Sequence, residues 1–204
     1  MFMDVKTRQI NIKIVYEGPM LCGKSTCLEN IYKKVRPEHR SPLHRFPHCG
    51  IGERMMFFDF IPRSLPPIRG FQIHLHFYTV TGTDVYASSH RDLMKGADAL
   101  MFVADSQRSL SGANVELREL VEMLLAEGVA ARPQIPWLFS YNKRDLPDAL
   151  PIEELAAQLN PGERHPSVAT IATRGEGVFE AMKALVSLRV AELRAKLEAP
   201  ASGA

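Results

Sequence analysis

The feature that most constrains this chain is the segment Gly18-Pro19-Met20-Leu21-Cys22-Gly23-Lys24-Ser25, which fits the pattern G-x-x-x-x-G-K-[ST]. Glycines in such a segment let the backbone wrap around phosphate groups so that successive N–H groups point at the oxygens. We expect Lys24 to reach the β- and γ-phosphates of a nucleotide and Ser25 to offer its hydroxyl to Mg²⁺. An apolar run at 10–16 precedes the motif and a helical pattern at 25–35 follows it. The segment therefore predicts a strand, a phosphate-binding loop and a helix in that order.

A second motif, Asn142-Lys143-Arg144-Asp145, fits N-K-x-D and follows another apolar run at 135–141. The carboxylate of Asp145 can accept two hydrogen bonds from the edge of guanine, and adenine lacks the matching donors. Ligands of open α/β sheets bind at the carboxyl ends of the strands. We therefore expect both motifs at one edge of a sheet, where together they predict a guanine-nucleotide site.

The composition sets further limits on what the chain does. Its 204 residues predict one domain, which we place at 1–198 with a short flexible tail at 199–204. A net charge of +2 and the lack of any long apolar run indicate neither nucleic-acid binding nor direct membrane insertion. The three cysteines, which form no spaced framework, suggest a reducing cytoplasm: Cys22, Cys27 and Cys49.

Hydrophobic periodicity predicts an α/β fold in which strands alternate with helices. We expect the three-layer fold of P-loop NTPases, with a mostly parallel sheet and helices on both faces. Residues 36–54, rich in proline, histidine and arginine, are expected to form a long loop, and residues 2–8 could add an edge strand. The predicted strands are 10–17, 57–60, 70–80, 97–104, 135–141 and 168–172, and the predicted helices are 25–35, 117–125, 151–160 and 179–197.

The chain resembles the small GTPases of the Ras superfamily, and more narrowly the bacterial MglA family of polarity and motility GTPases. Thr79-Val80-Thr81-Gly82 lies where most small GTPases have D-x-x-G, and threonine in place of that aspartate is itself a mark of the MglA group. The resemblance covers nearly the whole length. It also includes the segments at 14–19, 21–24, 57–62, 68–71, 102–107, 141–147 and 175–179.

The resemblance implies a cytoplasmic switch between GTP and GDP that uses Mg²⁺. In such a switch the γ-phosphate orders two loops, expected here at 40–56 and 81–95. The family also implies protein partners at these loops, namely a roadblock-type dimer such as MglB and downstream effectors. The residues expected to bind nucleotide are Gly18, Leu21, Cys22, Gly23, Lys24, Ser25, Thr26, Gly82, Asn142, Lys143, Asp145, Ala172 and Thr173.

Three departures from the family pattern cluster around the expected γ-phosphate. Met20 replaces a glycine and is expected to crowd the space where the transition-state charge is stabilised. Met55 lies where a switch threonine usually ligates Mg²⁺, unless the alignment slips by one or two residues. Thr83 lies where a glutamine usually positions the attacking water. The sequence thus leaves two functions open: a slow GTPase, or a scaffold that has lost catalysis.

Some residues could compensate for these departures. Arg54 matches an arginine that the family is thought to use as an arginine finger, although a solvated arginine is an equal alternative. Asp59 could hold a Mg²⁺-bound water, or be an ordinary acid at a strand edge. Asp84 could orient a water, although a solvated loop acid is the favoured interpretation. With Thr83, Arg54 is our expected catalytic residue.

The loop at 36–54 also contains possible zinc ligands. Its histidines are not spaced as in known zinc motifs, so a solvated or partner-contacting loop is the favoured interpretation. The residues concerned are His39, His44, His48 and Cys49.

Overall fold

The computed structural model describes residues 2–47, 52–82, 87–132 and 134–198. Strands and helices alternate from residue 72 onward, as the periodicity predicts, whereas before it several strands follow one another directly. The strands are β1 (Phe2–Asp4), β2 (Gln9–Glu17), β3 (His44–Pro47), β4 (Arg54–Phe60), β5 (Gln72–Thr81), β6 (Ala99–Asp105), β7 (Trp137–Asn142) and β8 (Ser167–Ala169). The helices are α1 (Lys24–Lys34), α2 (Ala87–Met94), α3 (Ser111–Ala126), α4 (Ile152–Leu159) and α5 (Val178–Glu198).

All eight of these strands form one sheet, in the order β3-β4-β5-β2-β6-β7-β8, with β1 paired to the beginning of β2. Strands β5, β2, β6, β7 and β8 run parallel to one another, whereas β4 is antiparallel to both of its neighbours. The sheet is therefore mixed and mostly parallel, and the predicted fold class is confirmed. The carboxyl ends of β2, β5, β6 and β7 lie at one edge, which is where both sequence motifs begin.

The core consists of two apolar layers, one on each face of the sheet. Successive strand residues point to opposite faces, so Ile14 joins the layer beneath α1 and α5, and Val15 joins the layer beneath α2, α3 and α4. Every residue of β6 and β7 is buried, because both faces of these strands are covered. None of the helices in the described ranges combines the length and hydropathy that crossing a membrane requires.

Three parts of the fold differ from the prediction. The expected loop at 36–54 contains a 3₁₀ turn at Pro37–His39 and all of β3, and β4 begins at its last residue. Strand β3 has no apolar alternation and forms by pairing with β4 at the edge of the sheet. Helix α2 is missing from the prediction because it is short and has only two large apolar residues, Leu93 and Met94, both of which are buried. Helix α3 begins at Ser111, before its apolar stripe.

We predict that Phe77→Ala lowers the free energy of unfolding by about 3–5 kcal/mol, the usual cost of removing a buried phenyl ring. Phe77 is fully buried in β5, and its ring centroid lies 5.3 Å from that of Phe58 and 5.5 Å from that of Phe60. Urea unfolding measures the loss. The control Val5→Ala removes an apolar side chain that is 74% exposed and should change stability little. Equal losses in the two variants would contradict the packing described here.

Candidate functional site

The loop between β2 and α1 is packed too closely for side chains at its two glycines. A Cβ on Gly18 would lie 2.1 Å from the carbonyl oxygen of Val103, and one on Gly23 would lie 2.2 Å from the amide nitrogen of Asn142. Gly23 also has a φ of 109°, which L side chains rarely adopt. Leu21, between the two glycines, has a φ of 58°. A strained left-handed residue in such a loop is a common mark of a binding site.

Lys24 is the first residue of α1, and its side chain extends back into this loop. Its side chain is buried, and Nζ donates hydrogen bonds to the carbonyl oxygens of Gly18 at 2.7 Å and Pro19 at 2.9 Å. Burial raises the pKa of the neighbouring Cys22 thiol, with Lys24 opposing the shift, so the thiol stays protonated and serves packing. The ammonium group of Lys24 thus lies beside the N-terminus of α1, and both groups attract phosphate.

Asn142, at the end of β7, joins the phosphate loop to the loop after β8. Its Nδ2 donates to the carbonyl oxygen of Cys22 at 2.7 Å. Its Oδ1 accepts from the backbone N–H of Ala172 at 2.9 Å and from the hydroxyl of Thr170 at 3.2 Å. The side chain is buried, so these bonds are shielded from water. Asn142 therefore acts as a tie between the elements that carry the two motifs.

Two adjoining cavities open along this edge. One, of about 200 Å³, lies between the phosphate loop and the loops after β7 and β8. The other, of about 160 Å³, lies between the phosphate loop and the end of β5. The first is lined by Leu21, Gly23, Thr26, Asn142, Lys143, Asp145, Leu146, Ala172 and Thr173, and the second by Leu21, Gly23, Lys24, Ser25, Thr26, Val80, Thr81 and Gly82. The predicted base residues and the predicted phosphate residues thus line two separate cavities, which share Leu21, Gly23 and Thr26 in their walls.

The first cavity holds the charged residues of the second motif. Lys143 has a φ of 66°, and its Nζ contacts Asp105 and the amide oxygen of Gln107, the latter at 3.3 Å. Asp145 has an Oδ2 that lies 3.9 Å from a guanidinium nitrogen of Arg174. Sequence reasoning missed Arg174, because it lies outside the motif and approaches only through the turn after β8.

The residues expected at the γ-phosphate lie on β4 and β5. Arg54 is paired with Thr81, whose hydroxyl donates to the Arg54 carbonyl oxygen at 3.2 Å, and Arg54 is exposed. Met55 packs against the apolar layer beneath α2 and α3. Thr79 is buried, and its hydroxyl donates to the carbonyl oxygen of Tyr16 at 2.9 Å. Neither Met55 nor Thr79 presents an oxygen ligand to the cavity.

The second cavity nevertheless fits Mg²⁺ in the way that nucleotide sites commonly hold it. Mg²⁺ keeps several waters and takes one or two protein oxygens together with those of the phosphates. Ser25 lines this cavity beside Lys24, and Ser25 would hold the ion. An ion held there would neutralise charge on the phosphate oxygens of a bound nucleotide.

Asp59 does not reach this cavity. It is the register partner of His76, at the other end of β4 from Arg54. Five strand residues span about 16 Å, so the possible role for Asp59 in holding a Mg²⁺-bound water is wrong. The expected catalytic residue Thr83 and its neighbour Asp84 lie outside the described residues, as do His48 and Cys49 of the possible zinc set. His44, another residue of that set, stacks on Phe57 of β4.

A third cavity adjoins the phosphate loop on the side of α2 and α3 and measures about 380 Å³. Met20 lines it together with Gly18, Lys24 and His90, and Met20 is 46% exposed. The Nδ1 atom of His90 lies 2.9 Å from the carboxylate of Glu17, which is fully buried just before the loop. Sequence reasoning missed the contact between His90 and Glu17, because His90 belongs to the unpredicted helix α2.

Comparison with known proteins places the chain in a family. It is 42% identical over 193 residues to the mutual gliding-motility protein MglA of Myxococcus xanthus, covering 95% of this chain and 97% of that protein. The chain belongs to the MglA-type small GTPases of the Ras superfamily. The model of the ADP-ribosylation factor family also matches residues 65–188 of this MglA-type chain.

A solved structure shows the same fold. It is the Arl6 BBS3 small GTPase of Trypanosoma brucei with the nucleotide analogue GppNp bound, at a TM-score of 0.62 and 20% identity. The match covers 89% of the MglA-type chain and 98% of that protein. The predicted family and fold are therefore confirmed.

We predict that Asn142→Ala lowers the free energy of unfolding by about 2 kcal/mol or more. The substitution leaves the buried carbonyl of Cys22 and the N–H of Ala172 without their partner, and each such group costs about 1–3 kcal/mol. Urea unfolding measures the change. The control Gln134→Ala removes an exposed amide side chain and should have little effect. An Asn142→Ala chain as stable as the control would show that the tie is dispensable.

Proposed function

We propose that this chain binds GTP and GDP with Mg²⁺ and acts as a cytoplasmic switch in cell polarity or motility. The observation that carries the proposal is the pair of adjoining cavities, one lined by Asn142, Lys143 and Asp145 and the other by Lys24 and Ser25. Family membership supports a nucleotide switch, and the relative in Myxococcus xanthus is named for gliding motility. The buried, free thiols of Cys22 and Cys27 suit a reducing compartment.

In this proposal the guanine lies against Asp145 and the phosphates against the loop. Ala172 and Thr173 close the base cavity, and Leu21 and Thr26 lie between the two cavities. Lys24 would exchange its bonds to the loop carbonyls for phosphate oxygens, because charge-assisted hydrogen bonds are the stronger ones. Gly82 would approach the γ-phosphate through its backbone, since it lines the same cavity at the end of β5.

Hydrolysis in this switch is expected to be slow. Phosphoryl transfer depends on an oriented water and on charge stabilisation around the γ-phosphate. Met55 packs against the core and has no side-chain oxygen to offer Mg²⁺, and Thr83 replaces the glutamine that would orient the water. Arg54 and Thr83 are the residues that we propose for catalysis; the exposure of Arg54 at the beginning of β4 leaves its side chain able to move toward the phosphates.

Protein partners would bind at the switch loops. We propose a roadblock-type dimer, similar to MglB, together with effectors that sense the γ-phosphate. Strand β3 suits this role because it lies at the edge of the sheet and carries Phe46, which is 51% exposed and stacks on His44 and Phe57. We propose neither a nucleic-acid partner nor direct membrane insertion.

A second function has support of its own: a scaffold that binds nucleotide without hydrolysing it. The packing of Met55 against the core favours it, because Met55 lies where a switch threonine would otherwise ligate Mg²⁺. Binding and hydrolysis therefore need separate tests.

For binding, we predict that Asp145→Asn weakens GTP affinity about 100-fold or more and improves binding of xanthosine triphosphate. The carboxylate accepts two donors from guanine, whereas an amide can donate to the oxygen that xanthine has in place of the guanine amino group. Calorimetry with both nucleotides and with ATP measures the preference.

The matched control for this experiment is Asp148→Asn, three residues further on, whose carboxylate accepts a bond from Gln107 at 3.3 Å. It should keep the preference for GTP. Equal affinity of the unmodified chain for ATP and GTP would refute guanine binding, and loss of GTP binding in the control would show that the loop as a whole had been disturbed.

For hydrolysis, we predict a single-turnover rate at or below roughly 10⁻⁴ s⁻¹, that of an unassisted Ras-type enzyme. The double reversion Met20→Gly with Thr83→Gln should raise the rate, because it restores space and a group that orients water. Release of phosphate from bound radiolabelled GTP measures both rates.

Hydrolysis by the unmodified chain separates the two functions left open, because a scaffold would show none. Arg54→Ala then tests the finger: if Arg54 acts as one, this variant hydrolyses GTP more slowly but binds it normally. Turnover within seconds by the unmodified chain would contradict the prediction of slow chemistry.

A further inference from the structure

Three potential metal ligands meet on the polar face of β4 and β5, away from the nucleotide cavities. In β5 the side chains of Ile73, Leu75 and Phe77 are buried in the core. His74 and His76 alternate with them, so they lie on the opposite face of the sheet. Asp59 is the register partner of His76 in the neighbouring strand. Pairing of these strands thus brings one carboxylate and two imidazoles together.

The distances within this cluster are short. The Nε2 atom of His74 lies 2.6 Å from Oδ1 of Asp59, and the two imidazole rings are 4.3 Å apart between centroids. One ligand atom from each of the three residues can be chosen so that all lie within 4.8 Å of one another. A tetrahedral ion with bonds of about 2.1 Å places its ligand atoms about 3.4 Å apart. Side-chain rotations that shorten the longest separation by at most about 1.4 Å, and that lengthen the contact between His74 and Asp59 by about 0.8 Å, would therefore fit the cluster around an ion.

We propose that Asp59, His74 and His76 bind a divalent transition-metal ion, Zn²⁺ being the ion that this donor set fits. Zn²⁺ accepts histidine nitrogen and carboxylate oxygen, and three protein ligands leave its fourth position to water. The side chains of His74 and Asp59 are 18% and 26% exposed, so solvent reaches the cluster. Mg²⁺ is not expected here, because it prefers oxygen ligands.

The surroundings of the cluster also suit a metal site. The ligands lie on paired strands, which hold their backbones more rigidly than a loop would. The side chain of Asn11, in β2, has its Oδ1 atom 2.8 Å from Nε2 of His76. An acceptor of this kind beside an imidazole is what orients histidine ligands in known metal sites. Bound there, the ion would link β4 to β5 and stabilise the hairpin.

This site is separate from the proposed switch chemistry. Asp59 lies five residues along β4 from Arg54, about 16 Å away. It is therefore at the end of the strand that is remote from the second cavity, where we propose that the phosphates bind. The site is also separate from the set that the sequence indicated, since His44 stacks on Phe57 and is not one of the three ligands. Failure of nucleotide binding would therefore not count against the metal site.

The experiment is a titration of the full-length chain with Zn²⁺ after treatment with a chelator, followed by calorimetry. We expect one strong site, and single substitutions Asp59→Asn, His74→Gln and His76→Gln should each weaken it at least about tenfold. Zn²⁺ should also raise the Tm of the unmodified chain and leave that of the variants unchanged. The matched control is His44→Gln, which removes a histidine from the adjacent strand and should keep the site.

A measurement on the unmodified chain alone covers the case in which a variant fails to fold. Co²⁺ in a site of nitrogen and oxygen ligands absorbs visible light, so we expect an absorption band when Co²⁺ is added to the chain. Crystals soaked in Zn²⁺ should show an anomalous peak between Asp59, His74 and His76. The absence of a strong site, a peak elsewhere, or loss of binding in His44→Gln would overturn the proposal. In the first case, the cluster would be a network of hydrogen bonds and an ion pair only.

Discussion

The arrangement of this molecule's functional edge depends on one buried amide, that of Asn142. Its nitrogen holds the phosphate loop through Cys22, and its oxygen holds the loop after β8 through Ala172. The contact is so close that a Cβ on Gly23 would lie 2.2 Å from this nitrogen. One side chain therefore fixes the position of the phosphate loop relative to the loop after β8, and both of these loops line the first cavity. A nucleoside with a chain of phosphates fits this cavity together with the adjoining second one.

Much of this edge could be predicted from the sequence, because a few residue types are needed there for chemical reasons. Gly18 and Gly23 leave room for the backbone, and Lys24 and Asp145 supply charge, so each motif revealed both its structure and its place at a strand end. The central strands β6 and β7 were equally clear, because strands covered on both faces are continuously apolar. A sequence predicts an element well when the residue types of that element are set by its own backbone geometry or burial.

The parts that escaped prediction depend on partners distant in the sequence. Strand β3 forms because β4 offers it an edge to pair with, and α2 forms by packing its two apolar residues onto the sheet. Arg174 reaches Asp145, and His90 reaches Glu17, across 29 and 73 residues of sequence. No local pattern records such contacts. The same applies to the cluster at Asp59, where the alternation of β5 indicated only a half-exposed face and the register of β4 completed the set.

Strand β5 shows how these levels combine in one element. Its apolar side chains pack with Phe58 and Phe60 and hold the sheet to α1 and α5. Its last residue, Thr81, and the following Gly82 line the second cavity. Its polar face places His74 and His76 opposite Asp59. Because successive residues point to opposite faces, a change in the pairing of β4 with β5 by one residue would separate Asp59 from the histidines and move Arg54 relative to Gly82. The cluster at Asp59 and the second cavity therefore both depend on the register of this hairpin.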